Sequence, residues 1–275
     1  MNNLIDILNL LKDKSEQEIY QLLLRNYIAP DFDHAFEKSK VVLCVSPHPD
    51  DCDVGVGGLI AKYSGNVETY YVIVTDGSKG TKRKDMDPHE LAIIRKKEQE
   101  EAAKILGVKE IFWLGYVDGE IDYRDYRRIM LDLIHIYRLI KPDIVLTPDP
   151  SLPYEAHLDH IIVGKAASSA AIFSGMPLFN KLDQVSGLEP HRVKYVGYYY
   201  TSKPNYYVDI TSVIDKKLEA LKKHVSQFGD SWNYIETLIR VLSFVYGRKI
   251  GVQYGEAIKL VPTLLLHAVP FTEYI

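Results

Sequence analysis

A histidine and three carboxylates follow the apolar run at residues 41–45. Residues 46–53 read Ser-Pro-His-Pro-Asp-Asp-Cys-Asp, at the expected end of a buried strand. Burying several like charges together costs free energy unless a cation or a proton-transfer reaction offsets it. His48 and Asp51 provide the neutral nitrogen and hard oxygen that Zn²⁺ accepts, and Asp50 stays available for acid–base chemistry. The alternative is a polar turn in which the aspartates only cap a helix.

A second group of chemically capable residues lies at 153–160, after the fourth predicted strand. His157 and His160 are three positions apart and therefore share one face on the first turn of a helix. One can bind a metal while the other points at the reaction centre. Together, His48, Asp51 and His160 form the two-histidine, one-carboxylate set of catalytic zinc sites, with a fourth position open for water. We therefore predict one Zn²⁺ per subunit. A non-catalytic, structural zinc protein is the less favoured alternative, since a closed structural site would want a fourth protein ligand.

These residues predict a hydrolytic mechanism. Zinc lowers the pKa of its water towards about 7 and polarises a carbonyl oxygen. Asp50 can take the proton from that water. His157, when protonated, would stabilise the tetrahedral oxyanion and assist departure of an amine. Asp159 could hold the imidazole of His157 in the right tautomer, or it could support a metal ligand.

Strand and helix signals alternate along the chain, which predicts an α/β fold with a doubly wound, mostly parallel, Rossmann-like sheet flanked by helices. The predicted strands are 41–45, 69–74, 111–114 and 144–147, and the predicted helices are 54–63, 88–106, 126–140 and 157–173. Polar loops follow all four strands. Because the carboxyl ends of such strands share one edge of the sheet, the loops should converge on a single site. The basic run 79–84 is expected to be a solvated loop that could contact substrate.

The two ends of the chain differ from this alternation. Leu4, Leu8 and Leu11 recur at helical spacing, and Ser15 with Glu18 forms a capping box before a second helix. The N-terminal helices could cover the core or mediate subunit contacts. Towards the other end we predict strands at 193–200 and 206–209, helices at 212–227 and 232–246, and an apolar stretch at 257–271 interrupted by prolines. The predicted domains are a helical segment, 1–40, and one α/β domain, 41–275, with an α+β extension at 175–275.

Composition excludes several classes of protein. The chain is 47% hydrophobic and 25% charged, with a net charge of −4, so no general attraction to nucleic acid or to an anionic membrane is expected. No apolar run approaches the length of about 20 residues that spans a bilayer. Asp6 and Lys12 interrupt the N-terminal leucines, unlike the core of a signal peptide. We therefore expect a cytoplasmic protein.

The two cysteines form no recognisable disulfide framework or zinc knuckle. Cys44 lies in the apolar run and is expected to be a small core residue. Cys52 follows the candidate ligand Asp51, so its thiolate could compete for the metal. A packed, protonated thiol is the interpretation we favour.

The motifs resemble those of the zinc-dependent PIG-L/LmbE-like de-N-acetylases, which remove acetyl groups from N-acetylglucosamine units. The resemblance rests on the Pro-His-Pro-Asp-Asp motif at 47–51 and the His-x-Asp-His motif at 157–160. A pattern of Arg, Glu, Ala, Leu and Gly at 95–107 resembles the family's helix after the second strand. The segments 249–256 and 267–272 are most similar to the archaeal subgroup that acts on diacetylchitobiose. The resemblance covers residues from about 35 to the end.

The resemblance implies roles for individual residues. His48, Asp51 and His160 would bind zinc, Asp50 would be the general base, and His157 would stabilise the oxyanion. It also implies substrate contacts from three residues elsewhere: Arg95, Asp118 and His267. The subgroup assembles as homohexamers in which the C-terminal segment reaches towards a neighbouring active site.

Two departures from the wider family accompany the resemblance. Cys52 stands where most members have glutamate, although the archaeal subgroup also has cysteine there. Leu158 replaces the usual proline between the histidines and could alter the start of the helix. Among the tyrosines, Tyr154 is the candidate for stacking on a sugar.

Simpler interpretations remain open for the substrate residues. Arg95 could be a surface residue paired with Glu98 or Asp85. Asp118, which precedes a glycine, could be only a turn residue, and His267 lies in an apolar segment where a core histidine is common. His224 and His191 are assigned no task.

Two other functions compete with the removal of acetyl groups from N-acetylglucosamine units. The same site could hydrolyse another amide, such as an N-acetylated amino-sugar conjugate or a thiol precursor. Gly55, Gly57 and Gly58 superficially resemble a dinucleotide-binding turn. That pattern lacks the third glycine at the required spacing, and the neighbouring carboxylates would repel a pyrophosphate.

Overall fold

The computed structural model describes residues 8, 9 and 11–275, and in this part of the chain seven strands form one sheet. The strands are β1 Val41–Ser46, β2 Glu68–Thr75, β3 Glu110–Tyr116, β4 Ile144–Pro148, β5 Tyr195–Tyr199, β6 Tyr206–Asp209 and β7 Gly255–Pro262. Their order across the sheet is β3-β2-β1-β4-β5-β7-β6. The first five in that order are parallel, whereas β7 runs antiparallel to β5 and to β6. The predicted α/β fold with a mostly parallel sheet is confirmed.

Helices cover both faces of this sheet, as the buried apolar sequences of the central strands require. They are α1 Glu16–Leu23, α2 Asp51–Tyr63, α3 Pro88–Leu106, α4 Tyr126–Ile140, α5 Leu158–Phe173, α6 Lys181–Val185, α7 Ile214–Leu221, α8 Val225–Phe228 and α9 Trp232–Lys249. α4 has the predicted bounds. α2 begins three residues earlier than predicted, so Asp51 lies in its first turn. α5 begins at Leu158, with His157 at the N-cap position.

The strand order reverses between β1 and β4. The chain winds from β1 towards β3 on one side and from β4 towards β5 on the other. β1 and β4 pair in parallel, with Val42 opposite Ile144. Their carboxyl ends therefore open into one crevice, the usual ligand position in a doubly wound sheet. The loops that carry His48 and His160 meet there.

The C-terminal part corrects one prediction. The single helix predicted at 212–227 is split into α7 and α8, because the chain leaves helical geometry around His224. His224 is fully buried and its Nε2 lies 2.8 Å from a carboxylate oxygen of Asp53. The apolar stretch 257–271 contains most of β7, which ends at Pro262. Two buried charged residues in this strand, Glu256 and Lys259, interrupt its apolar pattern.

The cysteine prediction is wrong. Cys44 on β1 and Cys52 in the first turn of α2 form a disulfide, with their Cα atoms 6.3 Å apart. A strand followed by a tight turn and a helix returns the chain over its own strand end. This brings residues only eight positions apart into the range that a disulfide spans. Cys52 is therefore a bonded core residue and offers the site no thiolate.

The helix predicted after Ser15 is confirmed. Ser15 caps α1 and forms the predicted capping box with Glu18. Leu4 lies outside the described residues. Among the described residues, no helix combines the length and apolar character needed to cross a bilayer.

A buried ion pair stabilises a break in α2, the helix that carries Asp51. The backbone leaves helical geometry at Val56. Glu256 of β7 accepts hydrogen bonds from the backbone N–H groups of Gly58 and Leu59 at 2.9 and 2.6 Å. Lys217 of α7 donates to the carbonyl oxygen of Val54 and to Glu256. The pair thus satisfies backbone groups on both sides of the break.

We expect Lys217→Met to lower the free energy of unfolding by about 3–5 kcal/mol, because it leaves the Glu256 carboxylate buried without its cation. Urea unfolding of the purified protein measures this loss. The control is Lys109→Met, which removes an exposed ion pair with Glu68 and should leave the midpoint unchanged. Equal midpoints for the two variants would contradict the prediction.

Candidate active site

Hydrogen bonds from neighbouring residues fix the conformation of the turn after β1. The Ser46 hydroxyl donates to the carbonyl oxygen of His48 at 2.6 Å and accepts from the N–H of Cys52. From β2, the backbone and hydroxyl groups of Thr75 both donate to the carbonyl oxygen of Pro47. The turn therefore presents His48 and the start of α2 in one fixed arrangement.

Three predicted ligands meet at one point. Nδ1 of His48 lies 3.2 Å from Oδ2 of Asp51, and Nε2 of His160 lies 3.4 Å from the same oxygen. Ligand atoms on a tetrahedral zinc, with bonds of about 2.0–2.1 Å, are about 3.3 Å apart. The donor types and their spacing therefore fit a divalent metal such as zinc. The structure brings together two loops more than a hundred positions apart.

Electrostatics also favour a cation here. Burial opposes the charge on Asp51, yet His160 and His48 outweigh it and hold the pKa of this carboxyl well below its usual range. Burial likewise lowers the pKa of His48, but hydrogen bonds to three aspartates outweigh burial and raise it to about 12. This excess of negative charge around one imidazole is what a bound metal would neutralise.

Asp118 and Asp159 contact the other nitrogen of His48. Nε2 of His48 lies 3.2 Å from Oδ1 of Asp118 and 3.1 Å from Oδ2 of Asp159. Asp159 also accepts the backbone N–H of Gly119 at 2.9 Å. A carboxylate on the second nitrogen of a ligating histidine fixes the tautomer and raises its basicity.

This placement favours one of the two roles predicted for Asp159 over the pairing with His157. The carboxylate of Asp159 is hydrogen-bonded to His48, so its geometry matches the alternative in which it supports a metal ligand. Asp118 does precede a turn at Gly119, whose φ is +65°. Its side chain is nevertheless buried against His48, so a turn alone does not account for it.

Asp50 lies beside the ligands with its carboxylate held by Arg95. Nη2 of Arg95 lies 3.2 Å from Oδ2 of Asp50. Burial raises the pKa of Asp50 to about 6, although Arg95 opposes the shift. A carboxylate with this pKa is suited to take up a proton near neutral pH. Although Asp50 occupies the N-cap position of α2, its side chain makes no capping hydrogen bond with any described residue, which argues against a purely capping role.

Arg95 is a buried residue, so its interpretation as a surface side chain is wrong. Only 3% of it is exposed. It donates to the carbonyl oxygens of Gly77 and Pro49, at 2.9 and 2.7 Å, as well as to Asp50. These contacts tie the loop after β2 to the loop after β1.

His157 lies beside the two candidate ligand histidines. Its ring centroid is 4.5 Å from that of His48 and 5.1 Å from that of His160, on which it stacks. Burial and the neighbouring His48 lower the pKa of His157. His157 is exposed to solvent and is therefore accessible to an incoming substrate.

Tyr200 is a site residue that the sequence did not reveal. It follows β5, and its hydroxyl lies 3.3 Å from the carbonyl oxygen and 3.4 Å from Oδ1 of Asp51. Its ring stacks on His160 with an interplanar angle of 7°. The tyrosine therefore contacts two of the three candidate ligands. Its position directly after a strand was the available signal, but tyrosine is common in and beside strands.

An open cavity of about 370 Å³ lies over these groups. It is lined by His48, Asp50, Lys79, Gly80, Arg95, Asp118, Gly119, His157 and Gln227. Its size is at the lower end of small-molecule sites. The loop at 79–84 thus reaches the cavity, as expected. Tyr154 is fully exposed, with a φ of +68°, and His267 is also exposed; neither lines this cavity.

The glycines of α2 argue against a dinucleotide site. A side chain at Gly55 would collide with the ring of Tyr199, and one at Gly58 would collide with Glu256 and Ile210. These glycines permit close packing of α2 against the sheet. Packing within the protein therefore accounts for the glycines without a nucleotide ligand.

Comparison with known proteins agrees with this site. The family model described as PIG-L, GlcNAc-PI de-N-acetylase, matches residues 43–171, a range that includes both metal-ligand loops. Diacetylchitobiose deacetylase of Thermococcus kodakarensis is 43% identical over 242 residues, covering 87% of this chain and 90% of that protein. The chain belongs to the PIG-L de-N-acetylase family. The family resemblance predicted from the sequence is therefore confirmed.

Two other proteins are also similar to this chain. The structure of N,N'-diacetylchitobiose deacetylase from Pyrococcus horikoshii, in complex with its inhibitor MPG, is 45% identical with a TM-score of 0.88. The match covers 95% of this chain and 98% of that one. A Bacillus anthracis protein named "Probable N-acetyl-alpha-D-glucosaminyl L-malate deacetylase 2" is 30% identical over 196 residues, covering 68% of this chain and 81% of that protein.

Proposed function

We propose that this protein is a zinc-dependent hydrolase that removes the N-acetyl group from an N-acetylglucosamine unit of diacetylchitobiose or a short chitin oligosaccharide. The products are acetate and the free amine. The observation that carries the proposal is the meeting of His48, Asp51 and His160 around one point, with Asp50 beside it. The substrate follows the names of the relatives from Thermococcus and Pyrococcus, which are similar over nearly the whole chain.

The chain's own groups suit this reaction. A Zn²⁺ held by the three ligands would polarise the acetamide carbonyl and lower the pKa of water. Asp50 faces the cavity and accepts the proton that water loses on attack. His157, which also lines the cavity, would donate a hydrogen bond to the developing oxyanion, and its protonated form would pass a proton to the leaving nitrogen. Asp118 and Asp159 hold the His48 ring in place throughout.

The test is acetate release by the zinc-loaded protein. We expect turnover of diacetylchitobiose and N-acetylglucosamine, with an N-acetylglucosaminyl malate conjugate as the comparison substrate because of the Bacillus relative. The ratio of kcat/KM values separates the sugar from the conjugate as the preferred substrate. Absence of acetate release from every N-acetylated sugar would overturn the proposal.

The proposed assembly is a homo-oligomer, a hexamer by resemblance. α9 exposes an apolar stripe at helical spacing: Leu238, Val241, Leu242 and Val245, each 41–52% exposed. Such a stripe is typical of an interface. The exposed position of His267, away from this chain's own cavity, is also consistent with a role at a neighbouring subunit.

We expect Leu242→Glu to dissociate the assembly, because it places a charge in the centre of the apolar stripe. Light scattering coupled to size-exclusion chromatography measures the mass. Glu219→Lys, a charge change on an exposed face of α7, is the control and should leave the mass unaltered. A wild-type protein that is monomeric at micromolar concentration would overturn the assembly proposal.

The cytoplasmic location stays a prediction of the sequence.

A further inference from the structure

One face of α3 carries two side chains that both reach Asp50. Arg95 and Gln99 are four positions apart and so lie one helical turn from each other. Arg95 contacts the Asp50 carboxylate. Oε1 of Gln99 accepts the backbone N–H of Asp50 at 2.7 Å, and Gln99 is fully buried. The helix therefore fixes both the side chain and the main chain of Asp50.

The main chain of Asp50 needs such support. Its φ is +113° and its ψ is −30°, a conformation that residues with a Cβ rarely adopt. Strain of this kind persists only where the surroundings impose it. The conformation turns the chain sharply between His48 and Asp51, so that a ligand lies on each side of Asp50. The hydrogen bond that the Asp50 backbone N–H donates to Oε1 of Gln99 opposes relaxation of this turn.

A second buried layer determines which way the Gln99 amide points. Nε2 of Gln99 donates to Oδ2 of Asp53 at 2.8 Å. Asp53 is itself fully buried and also contacts the hydroxyl of Tyr71 and Nε2 of His224, each at 2.8 Å. Because the carboxylate of Asp53 can only accept from the amide, Oε1 of Gln99 must face Asp50. His224, which lies at the break between α7 and α8, belongs to this buried layer through its contact with Asp53.

We propose that Gln99 is a positioning residue for this reaction: supported by Asp53 and His224, it holds the backbone of Asp50 so that the carboxylate meets the attacking water. The inference rests on the proposed deacetylase function. Gln99 does not line the cavity. It acts through Asp50, so its loss should affect the chemical step more than substrate binding.

The first test is Gln99→Met, which preserves the volume but removes both hydrogen bonds. Displacing a reacting group by about 1 Å can cost about 10²-fold in rate. We expect kcat of the zinc-loaded enzyme on diacetylchitobiose to fall about 10- to 100-fold, with KM and zinc content close to wild type. Leu133→Ala on α4, buried but remote from these contacts, is the control: it should lower the melting temperature and keep kcat.

The second test is Gln99→Glu, which has a distinct pH signature. A protonated carboxyl can donate to Asp53 and accept from Asp50, as the amide does, whereas an ionised one repels Asp53. His224 and Arg95 are the cationic groups that face this position, and Asp50 and Asp53 are the anionic ones. The ratio of variant to wild-type kcat should therefore rise as pH falls.

These outcomes decide the inference. A Gln99→Met enzyme with wild-type kcat, or one altered only in KM, would overturn it, as would a kcat loss matched by Leu133→Ala. If Gln99→Met does not fold, a pH-independent kcat ratio for Gln99→Glu would overturn it instead. Wild-type protein inactive on every N-acetylated sugar would overturn this inference and the proposed function together, whereas an active wild type with a fully active Gln99→Met would overturn the inference alone.

Discussion

Asp50→Asn is expected to lower kcat for acetate release by about 10²–10⁴-fold, the contribution of a general base. Asparagine keeps the size of the side chain but cannot accept the proton from water. Asp50 contacts Arg95, and it is not one of the three residues whose ligand atoms meet at the metal position. Zinc content should therefore stay close to one per chain. Steady-state kinetics and metal analysis of the same preparation measure both quantities.

The matched control for Asp50→Asn is Asp230→Asn, the same change at an exposed position. It should retain wild-type kcat. Loss of zinc from Asp50→Asn would contradict the assignment, because it would mean that Asp50 is a ligand and that the base lies elsewhere.

His160→Ala is expected to produce the opposite pattern, with loss of the metal as well as of activity. It removes one of three protein ligands, and its Nε2 lies 3.4 Å from the shared oxygen of Asp51. A chelator should abolish acetate release from the wild type, and added Zn²⁺ should restore it. Metal titration of the dialysed protein should show weaker zinc binding for His160→Ala. The comparison of the two variants distinguishes ligand from base.

His34→Ala is the control for His160→Ala, since His34 is exposed in a remote turn. It should bind zinc and turn over substrate as the wild type does. A His160→Ala protein that binds one zinc with unchanged affinity would contradict the ligand assignment. Wild-type turnover that survives exhaustive chelation would contradict the metal mechanism.

Much of the site could be predicted because its signals are local. His48, Asp50 and Asp51 lie within four residues after an apolar run, and His157 and His160 lie within one helical turn. The alternation of strands and helices then places both groups at the same edge of the sheet. No long-range information is needed for that step, since parallel strands with helical crossovers have their carboxyl ends on one side.

Other parts of the site depend on contacts between residues far apart in the chain. Asp159 contacts His48 across 111 positions, Tyr200 contacts Asp51 across 149, and His224 contacts Asp53 across 171. Periodicity and spacing report which face of an element is buried, but not which neighbour it meets. For this reason the sequence alone could not decide whether Asp159 orients His157, near it in the chain, or supports a metal ligand, and it assigned His224 no task.

The amino-acid sequence by itself therefore determined the type of fold and was sufficient to predict candidate metal ligands and a candidate base, because each depends on neighbours in the chain. Only the tertiary structure decided that Arg95 is buried, that the cysteines are bonded and that Gln99 reaches the backbone of Asp50. Those facts depend on how α2, α3 and the strands pack, and packing selects among many polar partners that the sequence leaves equally available.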